Sequence, residues 1–287
     1  LKPDLITLDI EMPEVNGIEV LKTLKDQANA PVVIMLSTLT QLGSEMTIKA
    51  LELGAFDFVP KPSEGKMAEN MQKVRDAIFP IIAALKRQKE TKLKIRAKVR
   101  ARTSVPGKRK TEPPSPAIQK SIVRSKSEII GIGISTGGPS ALTKMIPLLP
   151  DNLKAPVLIV QHMPPMFTAS LANSLNNKSK LEVKEAENGD TIEPGKIFIA
   201  PGGKQMKIIA GADGLTRKIK ITDDPPENSC KPSVDYLFRS IAQHYVGRST
   251  GVIMTGMGSD GSKGLVQMKN NGSFVIAQNE DTCTVYG

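Results

Sequence analysis

The feature that most constrains this chain is a repeated alternation in which short apolar runs ending in a polar residue are separated by stretches of helical spacing. Leu5–Leu8, Val32–Leu36 and Phe56–Val59 are such runs, with Gly17–Lys25 and Gln41–Leu53 between them. The pattern returns with Ile129–Ile134, a helix over Ser140–Leu148 and Val157–Val160. Further strands are expected over Lys196–Ile199, Val252–Thr255 and Phe274–Ala277, with an amphipathic helix over Val234–Tyr245. Strands that alternate with helices run parallel, since each return crosses the sheet, and the helices then cover both faces. The expected fold is α/β in two domains, the second doubly wound.

The stretch between the two patterns carries the charge. Lys86 to Lys126 holds 15 Lys and Arg against Glu90 and Glu112, so the chain's formal +10 belongs to this segment and the remainder is slightly acidic. Pro106, Gly107, Pro113, Pro114 and Pro116 interrupt it, and from Thr103 onward no apolar period is sustained. Such a stretch cannot bury enough surface to offset the entropy of ordering it. Residues 81–126 are read as a basic linker, helical at its start where Ile81–Arg102 holds neither Gly nor Pro, between domains at 1–80 and 127–287. A nucleic-acid arm is the competing reading. The segment has no aromatic residue to stack on bases, so no nucleic-acid partner is expected.

Two cysteines, Cys230 and Cys283, cannot form a disulfide framework, and no basic-then-apolar leader opens the chain. The longest apolar run, Ala77–Leu85, contains Pro80 and is far too short to span a bilayer, so a cytosolic protein without a transmembrane segment is expected.

Asp9 ends the first apolar run, Ser37 closes the second and Lys61-Pro62 the third. In an open parallel sheet the carboxyl ends of strands face the functional crevice, so these groups are expected to converge. A carboxylate that attacks, with a hydroxyl and an ammonium that bind phosphoryl oxygens, makes a site for phosphoryl transfer. Asp9 with Met12-Pro13 and Gly17, Ser37-Thr38 after Pro31-Val32-Val33, and Gly54-Ala55-Phe56-Asp57-Phe58-Val59-Pro60-Lys61-Pro62 resemble the receiver domain of two-component response regulators. The resemblance implies a flavodoxin-like sheet lacking its first strands. It makes Asp9 the phospho-acceptor, Ser37 the switch hydroxyl, Phe58 a rotating aromatic and Lys61 the phosphoryl-sensing lysine, with a Lys61-Pro62 bond that is often cis. It also implies Mg²⁺, for which Asp9 and the Glu11 carbonyl are present but the usual acidic pair is absent, so weak metal binding and weak phosphorylation are expected.

In the second half, Gly133-Ile134-Ser135-Thr136-Gly137 follows a strand and opens a helix. This G-x-S-x-G arrangement exposes a nucleophilic hydroxyl on a tight turn beside helix amides that can stabilise an oxyanion. A dinucleotide loop is the alternative for these glycines. It calls for an acid at the end of the next strand, where Gln161-His162 stands instead. His162 is the candidate base. His244, the other histidine, is expected on an exposed helix face, and two histidines without ligand spacing make a zinc hydrolase improbable. Asp260, the one acid in the glycine-rich loop Thr255–Gly261, is the candidate to orient the imidazole.

Gly133–Leu142, Val160–Pro164, Ala200–Gly203, Pro232–Asp235 and Thr255–Gly261 together resemble the chemotaxis protein-glutamate methylesterase (CheB) family, with a receiver ahead of the linker as in that family. The resemblance implies Ser135 as nucleophile, His162 as general base, Asp260 as its orienter and the backbone amides of Thr136 and Met257 as oxyanion donors. No cofactor is expected for catalysis. It further implies methylated chemoreceptors as substrates, deamidation of selected glutamines, a chemotaxis histidine kinase as phosphodonor and a receiver that covers the active site until phosphorylated. Ser229 stands where many relatives carry arginine, and the chain stops short of the family's final elements. The competing reading is a receiver-coupled regulator whose second domain only binds a nucleotide or nucleic acid.

Overall fold

The computed structural model describes residues 2–27, 29–62, 64–103 and 126–287, with the backbone alone from 88 to 103. The linker expected over 81–126 therefore lies outside the described residues from 104 to 125.

Three strands, β1 (Leu5–Asp9), β2 (Val32–Ser37) and β3 (Asp57–Pro60), form a parallel sheet in that order. Helix α1 (Gly17–Lys25) starts where the Asn16 side chain accepts from Glu19 N and the Glu19 side chain accepts from Asn16 N, a reciprocal cap that satisfies two otherwise orphaned donors. Helix α2 (Gln41–Leu53) is capped by Thr40 and ends at Gly54 in the left-handed region, φ 108°. Helix α3 (Met67–Thr103) continues unbroken through Pro80, where the first domain was expected to end. Ile81 and Leu85 are buried with Ile34 and Val59, so packing against the N-terminal sheet continues beyond residue 80.

The C-terminal unit holds a six-stranded parallel sheet. Its strands are β4 (Ile129–Ile134), β5 (Val157–Gln161), β6 (Glu182–Glu185), β7 (Lys196–Ile199), β10 (Ser249–Ile253) and β11 (Phe274–Ala277), ordered β11-β10-β4-β5-β7-β6. A separate antiparallel hairpin, β8 (Gln205–Ala210) with β9 (Arg217–Thr222), stands beside it. Helices α4 (Gly138–Met145) and α5 (Phe167–Asn176) cover one face, and α6 (Val234–His244) with α7 (Ser262–Asn270) the other.

The alternation within β5 shows why both faces are covered. Val157 and Ile159 are buried with Leu142, Phe167 and Leu171, while Leu158 and Val160 are buried with Leu237, Phe238 and Ile241. Each such fully buried side chain contributes about 1.5–3 kcal/mol of transfer free energy. Strand order reverses at β4, which lies between β5 and β10. Loops leaving β4 and β10 diverge there and open a crevice at the carboxyl ends of the strands.

The two units meet through α2 and α5. Their apolar residues, including Ile48 and Leu51 of α2 and Phe167 and Leu171 of α5, belong to one buried cluster. Ser44 Oγ and Ser170 Oγ share a hydrogen bond at 2.6 Å, Glu52 bonds both Ser174 and Lys178, and the Phe58 and Phe167 rings lie 4.5 Å apart between centroids. No described helix is long and apolar enough to cross a membrane. The Lys231–Pro232 peptide is cis, whereas Lys61–Pro62, for which a cis bond was anticipated, is trans.

Candidate active site and receiver site

The crevice at the β4 switch point gathers the candidate catalytic groups. Ser135 follows β4, His162 follows β5, and Asp260 lies in the loop between β10 and α7. The strand ends are zipped together: Ser135 N donates to Thr255 O at 2.9 Å and His162 N to Ile134 O at 3.2 Å. Gly137 turns the chain into α4 at φ 78°, a conformation that disfavours a side chain. Gly256 brings the β10 loop so close that an added Cβ would stand 2.8 Å from Ser135 Cβ. The buried Gln161 side chain donates to Ser135 O at 3.1 Å and His162 O at 3.2 Å, tying the two turns to each other. Together they line a cavity of about 140 Å³ that includes Ser135, His162, Met257 and Asp260.

Asp260 is held from several sides. Its carboxylate accepts from His162 Nε2 at 2.9 Å, Val234 N at 2.7 Å, Ser233 Oγ at 2.8 Å, Asn228 Nδ2 at 2.9 Å and Asp235 N at 3.2 Å. Burial acts to raise its pKa, but these donors, His162 foremost, hold the carboxyl well below the usual carboxylate range. Burial likewise acts to lower the pKa of His162. The bond to Asp260 and the adjacent Cys230 outweigh it, and the imidazole is pushed up to about 9.

With Nε2 on Asp260, the nitrogen left for a serine is Nδ1. That atom faces Cys230 Sγ at 3.9 Å. Among the described residues Ser135 Oγ has no hydrogen-bond partner, so the structure brings Ser135 into the same cavity as the His162–Asp260 pair without joining it to the ring. Catalytic hydrogen bonds commonly tighten only once substrate is bound. The amides of Thr136 and Met257 also donate to no acceptor among the described residues, which leaves both free for an oxyanion.

The N-terminal unit lies against this rim. The Thr136 side chain lies beside the Asp57 carboxyl and favours its charged form, and Met257 packs on the cluster formed by Ile34, Val59, Ile81 and Leu85. Asp57 keeps some exposure as a residue, but its carboxyl is enclosed. That burial raises its pKa to about 6 against the opposing bonds from Phe58 N and Thr136. Both candidate oxyanion residues thus lie against the N-terminal unit.

At the N-terminal strand ends, Lys61 Nζ lies 2.5 Å from Asp9 Oδ2, and Glu11 N donates to Asp9 Oδ1 at 3.1 Å. Ser37 does not converge on them. It is 1% exposed, and its hydroxyl donates to Gly43 O at 3.1 Å and accepts from Thr47 Oγ1 at 2.6 Å, because α2 begins directly beneath it. Its neighbour Thr38 reaches the site instead, donating to Glu11 Oε1 at 3.0 Å. Phe58, expected as a rotating aromatic, is half-buried against Phe167. Among the described residues no third carboxylate joins Asp9 and Glu11, and the Asp9 oxygens are already engaged by Lys61 and Glu11 N. That donor set does not fit a hard dication seeking six oxygens.

Sequence reasoning passed over Cys230, Asn228 and Asp57 as site residues and used Gln161 only to dismiss a dinucleotide. Cys230 and Asn228 sit in a loop without periodicity. His244 is half-buried rather than exposed.

Residues 130–287 match the CheB methylesterase family, and residues 1–74 match the response regulator receiver domain. The protein-glutamate methylesterase/protein-glutamine glutaminase of Desulfotalea psychrophila is 55% identical over 291 residues, covering 100% of this chain and 78% of its own length. The Bacillus subtilis protein of the same description is 43% identical over 292 residues, with the same two coverages. Among solved structures, the Thermotoga maritima CheB methylesterase catalytic domain aligns with 56% of this chain and 85% of its own, at 42% identity and a TM-score of 0.54.

Proposed function

The chain belongs to the CheB methylesterase family, and from that premise we propose that it is a protein-glutamate methylesterase and protein-glutamine glutaminase under the control of its receiver domain. Ser135 attacks the γ-carbonyl of a methylated glutamate, and its proton passes to His162 Nδ1, the nitrogen that Asp260 leaves open. The amides of Thr136 and Met257 receive the oxyanion. The imidazolium returns the proton to the departing methoxide, methanol leaves, and water hydrolyses the acyl-enzyme by the same route in reverse. A methyl ester has a tolerable leaving group, so a serine with a base suffices for the chemistry. With ammonia as the leaving group, the same acyl-enzyme accounts for deamidation of glutamine.

The substrate is a methylated chemoreceptor and the phosphodonor for Asp9 is a chemotaxis histidine kinase. Control operates as a shift between closed and open populations. In the closed arrangement the receiver contacts Thr136 through Asp57 and packs on Met257, which hinders a receptor segment from reaching the oxyanion amides.

The observation that carries the reading is the Asp260-anchored imidazole sharing one cavity with a serine and two unpaired amides. Methanol release from methylated receptor tests it. Ser135→Ala lowers the rate by about 10⁴-fold or more in the same folded protein. Retained release in that variant would refute the esterase assignment.

A further inference from the structure

Cys230 takes no part in the hydrolysis described above, yet its thiol faces the base. Its Sγ lies 3.9 Å from His162 Nδ1. Cys230, His162 and Asp260 offer donor atoms all within 4.8 Å of one another, the one such grouping of three His, Cys, Asp or Glu side chains among the described residues. Thiolate with imidazole is a donor set suited to zinc rather than to magnesium or calcium. The spacing fits as well: an ion about 2.3 Å from sulfur and about 2.0 Å from nitrogen would see them at roughly 130°, a moderately widened tetrahedral angle, without either atom moving. The other ring nitrogen already holds Asp260 at 2.9 Å, the carboxylate–histidine–metal relation that fixes a ligating ring and raises its basicity.

The thiol is held on a firm support. Cys230 closes a tight turn in which Cys230 N donates to Glu227 O at 2.8 Å and Glu227 N to Cys230 O at 3.1 Å. Asn228 and Ser229 at its tip adopt left-handed φ of 50° and 62°, and Arg239 clamps the Glu227 carboxylate through both guanidinium nitrogens. Cys230 and His162 are both half-buried, which leaves solvent access for an ion.

We propose that His162 Nδ1 and Cys230 Sγ form a zinc(II) site, supported by Asp260 and completed by water, whose occupation silences the esterase by taking the nitrogen that would receive the Ser135 proton. Binding forms Zn–N and Zn–S bonds and releases the thiol proton, with any proton on Nδ1, to solvent. The silencing rests on His162 being the base of the proposed reaction; the site itself does not.

The test uses the 287-residue protein stripped of metal with EDTA, then titrated with cobalt(II) as a spectroscopic probe and with zinc chloride. A cobalt–thiolate charge-transfer band is expected at one equivalent, displaced by zinc, kept in Cys283→Ser and lost in Cys230→Ser. Zinc is expected to inhibit methanol release reversibly, with the half-inhibiting concentration at least about tenfold higher in Cys230→Ser, each protein being compared with its own metal-free rate. The proposal is overturned if the folded wild type gives no thiolate band. It is equally overturned if the band or full zinc sensitivity survives in a Cys230→Ser protein whose circular dichroism and melting match the wild type. A band that follows the expected pattern in a protein releasing no methanol upholds the site and refutes the esterase reading, so the two fail separately.

Discussion

Two aspartates stand at the carboxyl ends of parallel strands in this chain, and their surroundings differ in the way the proposed function asks their tasks to differ. Asp9 has a side chain 31% exposed and accepts from one ammonium and one backbone amide. Asp260 has a side chain 4% exposed and accepts from five donors on three neighbouring segments. A carboxylate that must become covalently modified needs an open face and lone pairs to spare. One that must orient an imidazole needs every lone pair occupied so that it cannot turn away. On the proposed roles, the same sheet-edge position serves a reactive group in one half and a fixed one in the other.

The largest expected effect sharpens this contrast. Asp260→Asn keeps the shape but loses the charge, and it should lower methanol release by about 10²–10⁴-fold. Asp9→Asn should leave the unphosphorylated rate within about twofold, since surface changes remote from the reacting atoms cost little. Steady-state rates on methylated receptor compare the two, and equal losses would break the distinction.

Next in size is the pH dependence that Asp260 confers on His162. An imidazole with its pKa near 9 is mostly protonated at pH 7, and kcat/KM of the free chain should climb about tenfold from pH 7 to pH 8 and level off near 9. The sign for stability is opposite. Because the folded pKa lies above the ordinary 6.5, the stabilisation is full below about 6.5 and disappears as pH rises through 9. A rate profile flat above pH 7 would show that Asp260 and Cys230 do not hold the ring as an imidazolium.

Asp57 is a third case, a carboxyl enclosed between the halves with neither a counter-ion nor five donors. Its pKa rises from 3.8 to about 6, so the folded form binds the extra proton and stability falls as pH rises from about 4 to about 6. Asp57→Asn removes that slope and should stabilise the protein at pH 7 by on the order of 1–3 kcal/mol, the upper figure being the full shift converted at 1.36 kcal/mol per unit. Denaturant unfolding of both proteins at pH 5 and pH 7.5 checks it. A variant less stable than the wild type at pH 7.5 would mean that the charged Asp57–Thr136 contact holds the halves together.

Local patterns made much of this legible in sequence. Apolar runs ending in Asp9, Ser135 and His162 placed those residues at strand ends because side-chain period and strand length are local properties. The helical spacing over Gly17–Lys25 and Gln41–Leu53 likewise gave α1 and α2 with the bounds the structure has. What was not legible depends on contacts across the chain. Ser37 ends a strand as expected, but α2 captures its hydroxyl. Pro80 reads as a boundary, yet Ile81 and Leu85 find a core on the sheet beyond it. Cys230 sits in an aperiodic turn, 68 residues from the histidine it faces, and no spacing rule connects them. Asp57 reads as a polar residue within a strand, and its carboxyl is enclosed where Thr136 of the second unit lies against it.

The account depends most on Ser135 being an activated nucleophile, and reaction of the intact chain with a fluorophosphonate, followed by peptide mass mapping, tests that directly. One adduct on Ser135 is expected, formed at least about a hundredfold more slowly when His162 is replaced by alanine. A protein left unmodified, or an adduct on any other residue with Ser135 untouched, would contradict it.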